Sequence, residues 1–416
     1  MTSWNPVWRV KIAGTIYTSY VVNSLTVSSG RSDIYIQPNA SYCNVELLNY
    51  ENIPYSWSIG STITVEVQNS SGTYVSLFGG YVTDITTSVG SAGSIKYVTR
   101  INVIAAGALS KLPKQITTGI LAQDFDGNQI YSLLADYLLN SWNEVGTTQQ
   151  WNTYTATTTW ATAENIGLGE VDRPGTYTME NRASGNTDIY SLAAQIAQSG
   201  LGYLYEDSSG NTCYASATHR QDYLAANGYT NLDANAANFQ GIRSAVRSGD
   251  VRNKMIINYG NNFGSSVTSS DSTSQLTYGV QGESVNSFVH SATDAQSIAD
   301  RYISLRKEPN PKFDAITFAV QNPEISDATR DKLLSIFMGM PIRITNLPLN
   351  ISDTQFEGYV EGWTFRSSIN GLSLTINASP IVYSQVALNW SQVSGTKAWN
   401  GLSGTLTWEK AIGAVA

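Results

Sequence analysis

The sequence predicts a mainly β protein with an α+β middle. It reads as two similar β-barrel domains, a mixed α/β domain between them and a helical insertion in the second half. Three observations predict this. Charged residues are 13% of the 416-residue chain, against roughly 25% in an average soluble protein. Aromatics are 11%, with 24 Tyr and 10 Trp, a composition suited to half-exposed strands. Short apolar-alternating runs separated by turn residues fill both ends of the chain, whereas helical spacing is confined to its middle and to a few later stretches. The length suits about two to four domains.

Residues 1–112 form the first barrel. Val7, Arg9 and Lys11 alternate with Trp8, Val10 and Ile12, and Gly14 then turns the chain. Ile63, Val65 and Val67 alternate with Thr64 and Glu66, the period of a strand buried on one side. Asn69-Ser70-Ser71-Gly72 is a turn, Tyr74, Val75, Leu77 and Phe78 begin the next strand, and Ile101–Ala108 is a further apolar run. Residues 113–245 form the mixed domain. Ile130, Leu133, Leu134, Tyr137 and Leu138 share one helix face, with Asp124-Phe125-Asp126-Gly127-Asn128 before it supplying capping acids. A second helix is expected over 189–199, capped by Asp188 and closed by Gly200, followed by Tyr203, Tyr205 and a hairpin turn at 206–210.

Residues 246–385 form the second barrel, with a helical insertion around 285–308. Met255–Tyr259 is a strand and 261–274 reads as a polar loop. Ile298, Tyr302 and Leu305 mark a helix over about 293–307, ended by Pro309 and Pro311. Ile316, Phe318 and Val320 alternate as a strand. Leu333, Leu334 and Phe337 mark a short helix ending at Gly339, and 341–378 is strand-like again. In the remaining 386–416, Trp390, Trp399 and Trp408 recur every nine residues with Ser-Gly-Thr between them. That period suits two short strands. They form either a hairpin on the chain's own barrel or an arm docking on a partner, where Trp is enriched.

The two halves share a pattern. Gly60-x-x-Ile63-x-Val65 is followed after twelve residues by Phe78-x-Gly80-Tyr81-Val82-x-x-Ile85-Thr86. Gly339-x-x-Ile342-x-Ile344 is followed after eleven by Phe356-x-Gly358-Tyr359-Val360-x-x-Trp363-Thr364. Gly93 and Gly371 each lie fifteen residues beyond their Phe. Equal spacings around a common Phe-x-Gly-Tyr-Val point to one hairpin used twice. Gly80 and Gly358 are expected at equivalent strand or bulge positions that tolerate a side chain poorly.

Barrel, α/β middle, then second barrel is an order that resembles the central hub proteins of tailed-phage baseplates and tail tips. That group includes contractile-phage hubs, their late-control relatives and the hub part of type VI secretion spikes. The chain is also similar to minor tail proteins of long-tailed phages. Leu77–Val82 resembles the first-barrel hairpin of that family, and 188–211 its middle domain. The resemblance implies a homotrimer whose two barrels per chain make a ring of six similar units. Such a ring joins a six-fold tail tube and its distal tail proteins to a three-fold tip or spike protein. It also implies a place in the virion tail tip, assembled in the host bacterial cytoplasm, with the genome passing through unbound.

Other chemistry is sparse in the sequence. The formal charge of −8 disfavours phosphate binding, and no run of eighteen apolar residues exists to insert in a membrane. The first residues lack a basic stretch before an apolar core, so no signal peptide is expected. Cys43 and Cys213 make neither a disulfide framework nor a zinc site, and His219 and His290 stand apart. Asp124–Asn128 fails the calcium-loop pattern because Gly127 falls too early and Leu133 takes the Glu position. No catalytic residue, metal or cofactor is expected. A virion carbohydrate-binding adhesin or depolymerase remains the competing class, on Glu164, Glu170 and Asp172 as carboxylates and Trp142, Trp151, Tyr154 and Trp160 as stacking surfaces.

Overall fold

A computed structural model of the chain describes residues 4–34, 36–51, 53–89, 98–141, 171–310, 312–348, 355–368 and 371–384. It is mostly β with several helices. The first half contributes β1 (Trp8–Ile12), β2 (Thr15–Ile16), β3 (Tyr20–Gly30), β4 (Tyr42–Asn49), β5 (Thr62–Gln68), β6 (Tyr74–Val89) and β7 (Thr99–Ala106). The middle holds α1 (Asp126–Ser141), α2 (Ile189–Ser199), the hairpin β8 (Tyr203–Glu206) and β9 (Thr212–Ala215), and α3 (His219–Asn227). There follow β10 (Thr230–Asp233), β11 (Ala237–Ala245), β12 (Lys254–Tyr259), β13 (Ser265–Ser270), α4 (Ser272–Tyr278), β14 (Gly282–Asn286) and α5 (Ala292–Arg306). The chain then forms β15 (Lys312–Ala319), α6 (Asp327–Leu334), β16 (Pro341–Thr345), β17 (Phe356–Ser368) and β18 (Gly371–Pro380).

Thirteen strands form one continuous sheet, in the order β11-β15-β18-β17-β3-β4-β7-β6-β5-β1-β2, with β16 on β17 and β10 on β16. Within it one topology occurs twice. The order β3-β4-β7-β6-β5 matches β11-β15-β18-β17-β16, and every adjacent pair is antiparallel. Barrel closure of either half is not among the pairings of the described residues. The sixth strand differs: β1 runs antiparallel to β5, whereas β10 runs parallel to β16. The two units join where β17 pairs with β3. One apolar core spans both units, from Ile12 and Val27 through Phe78 and Val103 to Phe318, Phe365 and Leu374. The alternation read from the sequence is the reason: Ile63, Val65 and Val67 are buried on β5, and every second residue of β4 from Cys43 to Asn49 is buried.

A second core lies apart from the sheet. It collects Ile130, Leu133 and Leu134 of α1, Ile189, Leu192 and Ile196 of α2, and Leu204 and Tyr214 of the hairpin. Met255, Ile257, Ile298 and Tyr302 join the same core, so β12 and α5 pack with the middle of the chain although they lie in its second half. Asp188 caps α2 by accepting from the Ser191 amide at 2.8 Å, and Gly200 ends it.

Three local expectations are corrected. The stretch 261–274 is not a loop: Ser265–Ser270 pairs with β12 over six residues, and α4 follows, capped by Asp271. Its Ser and Thr carry no apolar period, and only the neighbouring strand makes it β. The short helix before Gly339 ends earlier than expected: Ser326 caps its start and it closes at Leu334, leaving Phe337 beyond. Asp126 does not serve as a simple cap of α1. It is fully buried, and its carboxylate accepts from the Thr176 and Tyr177 amides and, at 2.5 Å, from the Tyr214 hydroxyl. Burial pushes its carboxyl up to about 6, against those donated hydrogen bonds.

A carboxyl raised on folding adds stability below its unfolded value, near 3.8, and loses that contribution as pH rises through about 6. Asp126→Asn is therefore expected to gain on the wild type between pH 4 and pH 7, by about 2–3 kcal/mol. Urea unfolding followed across that range checks it; a constant difference would refute the assignment.

Candidate functional site

The repeated Phe-x-Gly-Tyr-Val segments lie at matching places in the two units. Ile63 faces Gly80 and Val65 faces Phe78; likewise Ile342 faces Gly358 and Ile344 faces Phe356. The Gly60 amide donates to the Val82 carbonyl and the Val82 amide to Ser61, while Gly339 donates to Val360 and Val360 to Met340. Gly60 and Gly339 take φ of 86° and 85°, a left-handed turn that favours glycine. One residue after Val82 and one after Val360, the register with the next strand shifts, which places Thr83 and Glu361 at equivalent bulges.

Gly80 and Gly358 also share their surroundings. A Cβ on Gly80 would collide with the Ala106 carbonyl oxygen and the Phe78 ring. One on Gly358 would collide with the Ser379 carbonyl oxygen and the Phe356 ring. Each Phe thus folds back over the glycine two residues on. Tyr81 and Tyr359 carry cations on their rings: the Lys111 ammonium at 2.8 Å and the Arg220 guanidinium at 5.3 Å.

The middle hairpin touches both units. Its tip rests on β6, where the Ser76 hydroxyl donates to the Ser208 carbonyl and Gly79 meets the backbone of Ser209 and Gly210. Its first residue, Tyr203, lies against Gly339 of the second unit. Glu206 is buried and accepts from the Ser41 and Leu109 amides, so the hairpin is tied to β4 and to the end of β7.

Beside Tyr203 lies an ion cluster that the sequence does not flag. Glu361, 2% exposed, takes Arg220 on both oxygens at 2.6 and 2.8 Å, Arg31 at 2.7 Å and the Ser379 hydroxyl at 2.5 Å. Both guanidiniums stack near the Tyr203 ring. Burial pushes the Glu361 carboxyl up, but the two guanidiniums outweigh it and hold the group down at about 2. Burial pushes the Tyr203 hydroxyl up, and there it outweighs the opposing pull of Arg220 and Arg31.

Two solved structures share this architecture. The 43 kDa tail protein of prophage MuSo2 from Shewanella oneidensis superposes with a TM-score of 0.56 at 12% identity, over 91% of this chain and 99% of its own. The tail protein from Neisseria meningitidis MC58 does so with a TM-score of 0.59 at 10% identity, over 92% of this chain and 98% of its own. This is a phage tail-protein fold. No protein-family model matches the chain, and no curated protein is significantly similar to it.

Within the tail-protein fold, few of the residues considered for other chemistry are among the described ones. Trp142, Trp151, Tyr154, Trp160, Glu164 and Glu170 lie outside the described residues, as do Trp390, Trp399 and Trp408. Asp172 is buried and bonded to His219 at 2.7 Å, a pair enclosed by the Tyr203 and Tyr205 rings. Cys43 and Cys213 are buried thiols with no disulfide between them. Among the described residues no three His, Cys, Asp or Glu gather as metal ligands, and no helix is long and apolar enough to cross a membrane. A cavity of about 140 Å³ lies beside the ion cluster, bordered by Arg220, Arg301 and Tyr302.

Two outcomes follow. Glu361→Gln is expected to cost about 3–5 kcal/mol at pH 7, because it strands two buried guanidiniums. A carboxyl depressed on folding contributes above its unfolded value, near 4.5, and loses that contribution as pH falls toward about 2. Wild-type stability should therefore drop steeply through that window, and that of Glu361→Gln much less, as read by denaturant titration. Gly80→Val and Gly358→Val should each abolish soluble folded protein, whereas Gly249→Ala, which meets nothing within 4 Å, should be neutral. Wild-type yield from both valine variants would remove the significance of the glycines.

Proposed function

We propose that this chain is a structural hub of a phage tail tip or baseplate. Three copies form a ring in which the two units of each chain alternate, giving six similar positions. The ring joins the six-fold tail tube and distal tail proteins to three-fold tip or spike proteins and surrounds the genome path. The observation that carries this reading is the repeated strand order β3-β4-β7-β6-β5 and β11-β15-β18-β17-β16, with the same turn hydrogen bonds and the same bulge in each. A chain that contains one unit twice supplies six-fold contacts from three subunits. The fold shared with the prophage MuSo2 tail protein supports it.

The duplication itself belongs to this proposal: the two Phe-x-Gly-Tyr-Val hairpins are read as copies of one ancestral element. Each is the centre of a β-barrel-like unit. The role is mechanical and needs no catalysis or cofactor. A net charge of −8 suits a wall along which DNA slides without phosphate contacts. The spike hub of a secretion machine would use the same geometry. The adhesin or depolymerase reading is disfavoured, because Asp172 is buried and bonded to His219 rather than open to a glycan.

Electron microscopy and mass measurement of the full chain test the reading. The expected particle contains three chains and shows a ring with six similar lobes. A ring of six chains, each giving one lobe, would point to a distal tail protein instead. Release of reducing sugars from capsular or cell-wall glycans by the same preparation would favour the depolymerase.

A further inference from the structure

The matching of the two units leaves one strand pairing without its counterpart among the described residues. Strand β17 is shared along one edge: Phe356–Tyr359 pairs with β16, and Gly362–Ser367 pairs with β3. Strand β6 is built the same way as far as its bulge. Tyr74–Tyr81 pairs with β5, but along that edge Asp84–Val89 faces no strand among the described residues. Burial records the difference. Trp363, Phe365 and Ser367 are buried, whereas Asp84 and Thr86–Val89 are exposed, Val89 at 52%. At the far end of the sheet, β11 holds in the second unit the place that β3 holds in the first. Its outer edge also faces no described strand, and Val246 just beyond it is 60% exposed.

We infer that Asp84–Val89 of one copy pairs antiparallel with residues 242–247 of a second copy, repeating between subunits the β17–β3 junction found within each. This rests on the hub reading and names the strands that close its ring.

The register follows from the sheet. Ile85 aligns across it with Val103, Val45 and Leu25; Trp363 aligns with Ile376, Ile316 and Ile242. Val82 aligns with Ala105, Cys43 and Val27; Val360 aligns with Ala378, Phe313 and Ser244. Both rows give one correspondence, Leu25 with Ile242 and Val27 with Ser244. Inside the chain Gly362 faces Gly30, Trp363 faces Ser29, Phe365 faces Val27 and Ser367 faces Leu25. Carried over, Ile85 meets Val246, Thr87 meets Ser244 and Val89 meets Ile242, while Asp84 comes opposite Arg247. Apolar residues meet apolar ones and a carboxylate meets a guanidinium, the cross-strand pairs that stabilise a sheet. Pairing also removes two bare strand edges that otherwise invite indiscriminate association.

Opposed residues of an antiparallel pair bring their Cα atoms about 4.5–5.5 Å apart, within disulfide range. The test is therefore Ile85→Cys with Val246→Cys in the full chain, oxidised mildly and run on a non-reducing gel. The native thiols are buried, and burial pushes that of Cys43 up, which keeps it slow to react. A ladder ending at three linked chains is expected, together with little linkage for Ser88→Cys with Val246→Cys, which places the thiols on opposite faces. Val246→Asp, with its circular dichroism unchanged, should raise the concentration needed for assembly at least tenfold. Three-chain particles that neither cross-link at 85 and 246 nor weaken with Val246→Asp would overturn the strand pairing and leave the hub reading standing. Monomers at every concentration, without a ladder, would overturn both.

Discussion

Glu361 is the group on which the arrangement of the chain depends. It stands at the bulge of β17, where the strand leaves its partner β16 and takes up β3. Its two oxygens hold Arg31, just past the end of β3, and Arg220 on α3. One carboxylate therefore fastens the first unit, the middle and the second unit at a single buried point. Taking these charges out of water costs several kcal/mol per ion, and two guanidiniums on one carboxylate leave a net positive charge. The bidentate Arg220 fork, the Ser379 hydroxyl and the Tyr203 ring offset that cost. A buried cluster of this kind is weak in net stability but strict in geometry.

The equivalent bulge in the first unit carries Thr83, which is exposed and donates to the Ile104 carbonyl. The contrast shows how one backbone serves two purposes. Where the neighbouring strand belongs to the same chain, the bulge bears a charge locked in place. Where no strand among the described residues lies beside it, the bulge bears a small polar residue open to water. A bulge redirects one side chain without disturbing the hairpin around it, so the two units differ there while Phe78 and Phe356 lie alike over Gly80 and Gly358.

The middle of the chain acts as a strut between the units. The hairpin β8–β9 reaches β6 with its tip and Gly339 with its base, and buried Glu206 anchors its stem on the Ser41 and Leu109 amides. Burial pushes the Glu206 carboxyl up, against the hydrogen bonds donated to it. Gly79 and Gly210 permit two backbones to approach where any side chain would separate them. The two units are thereby tied to each other through the hydrogen-bonded hairpin between them.

The sequence by itself determined the parts whose signals are local. Period-two alternation located β5 and its neighbours, the Asp188 and Gly200 signals bounded α2, and the spacing around Phe-x-Gly-Tyr-Val marked two stretches that prove to share one register and one turn. The tertiary structure alone decided what depends on distant neighbours. Ser265–Ser270 is a strand because β12 lies beside it, not because of its own side chains. Asp126 is a buried acceptor rather than a helix cap because residues 176, 177 and 214 converge on it. Arg31, Arg220 and Glu361 are separated by long stretches of chain and carry no motif, so their union was invisible before folding. Short-range periodicity is written in adjacent residues, whereas the pairing of charges and the choice of strand neighbours are settled by which surfaces the folded chain brings together.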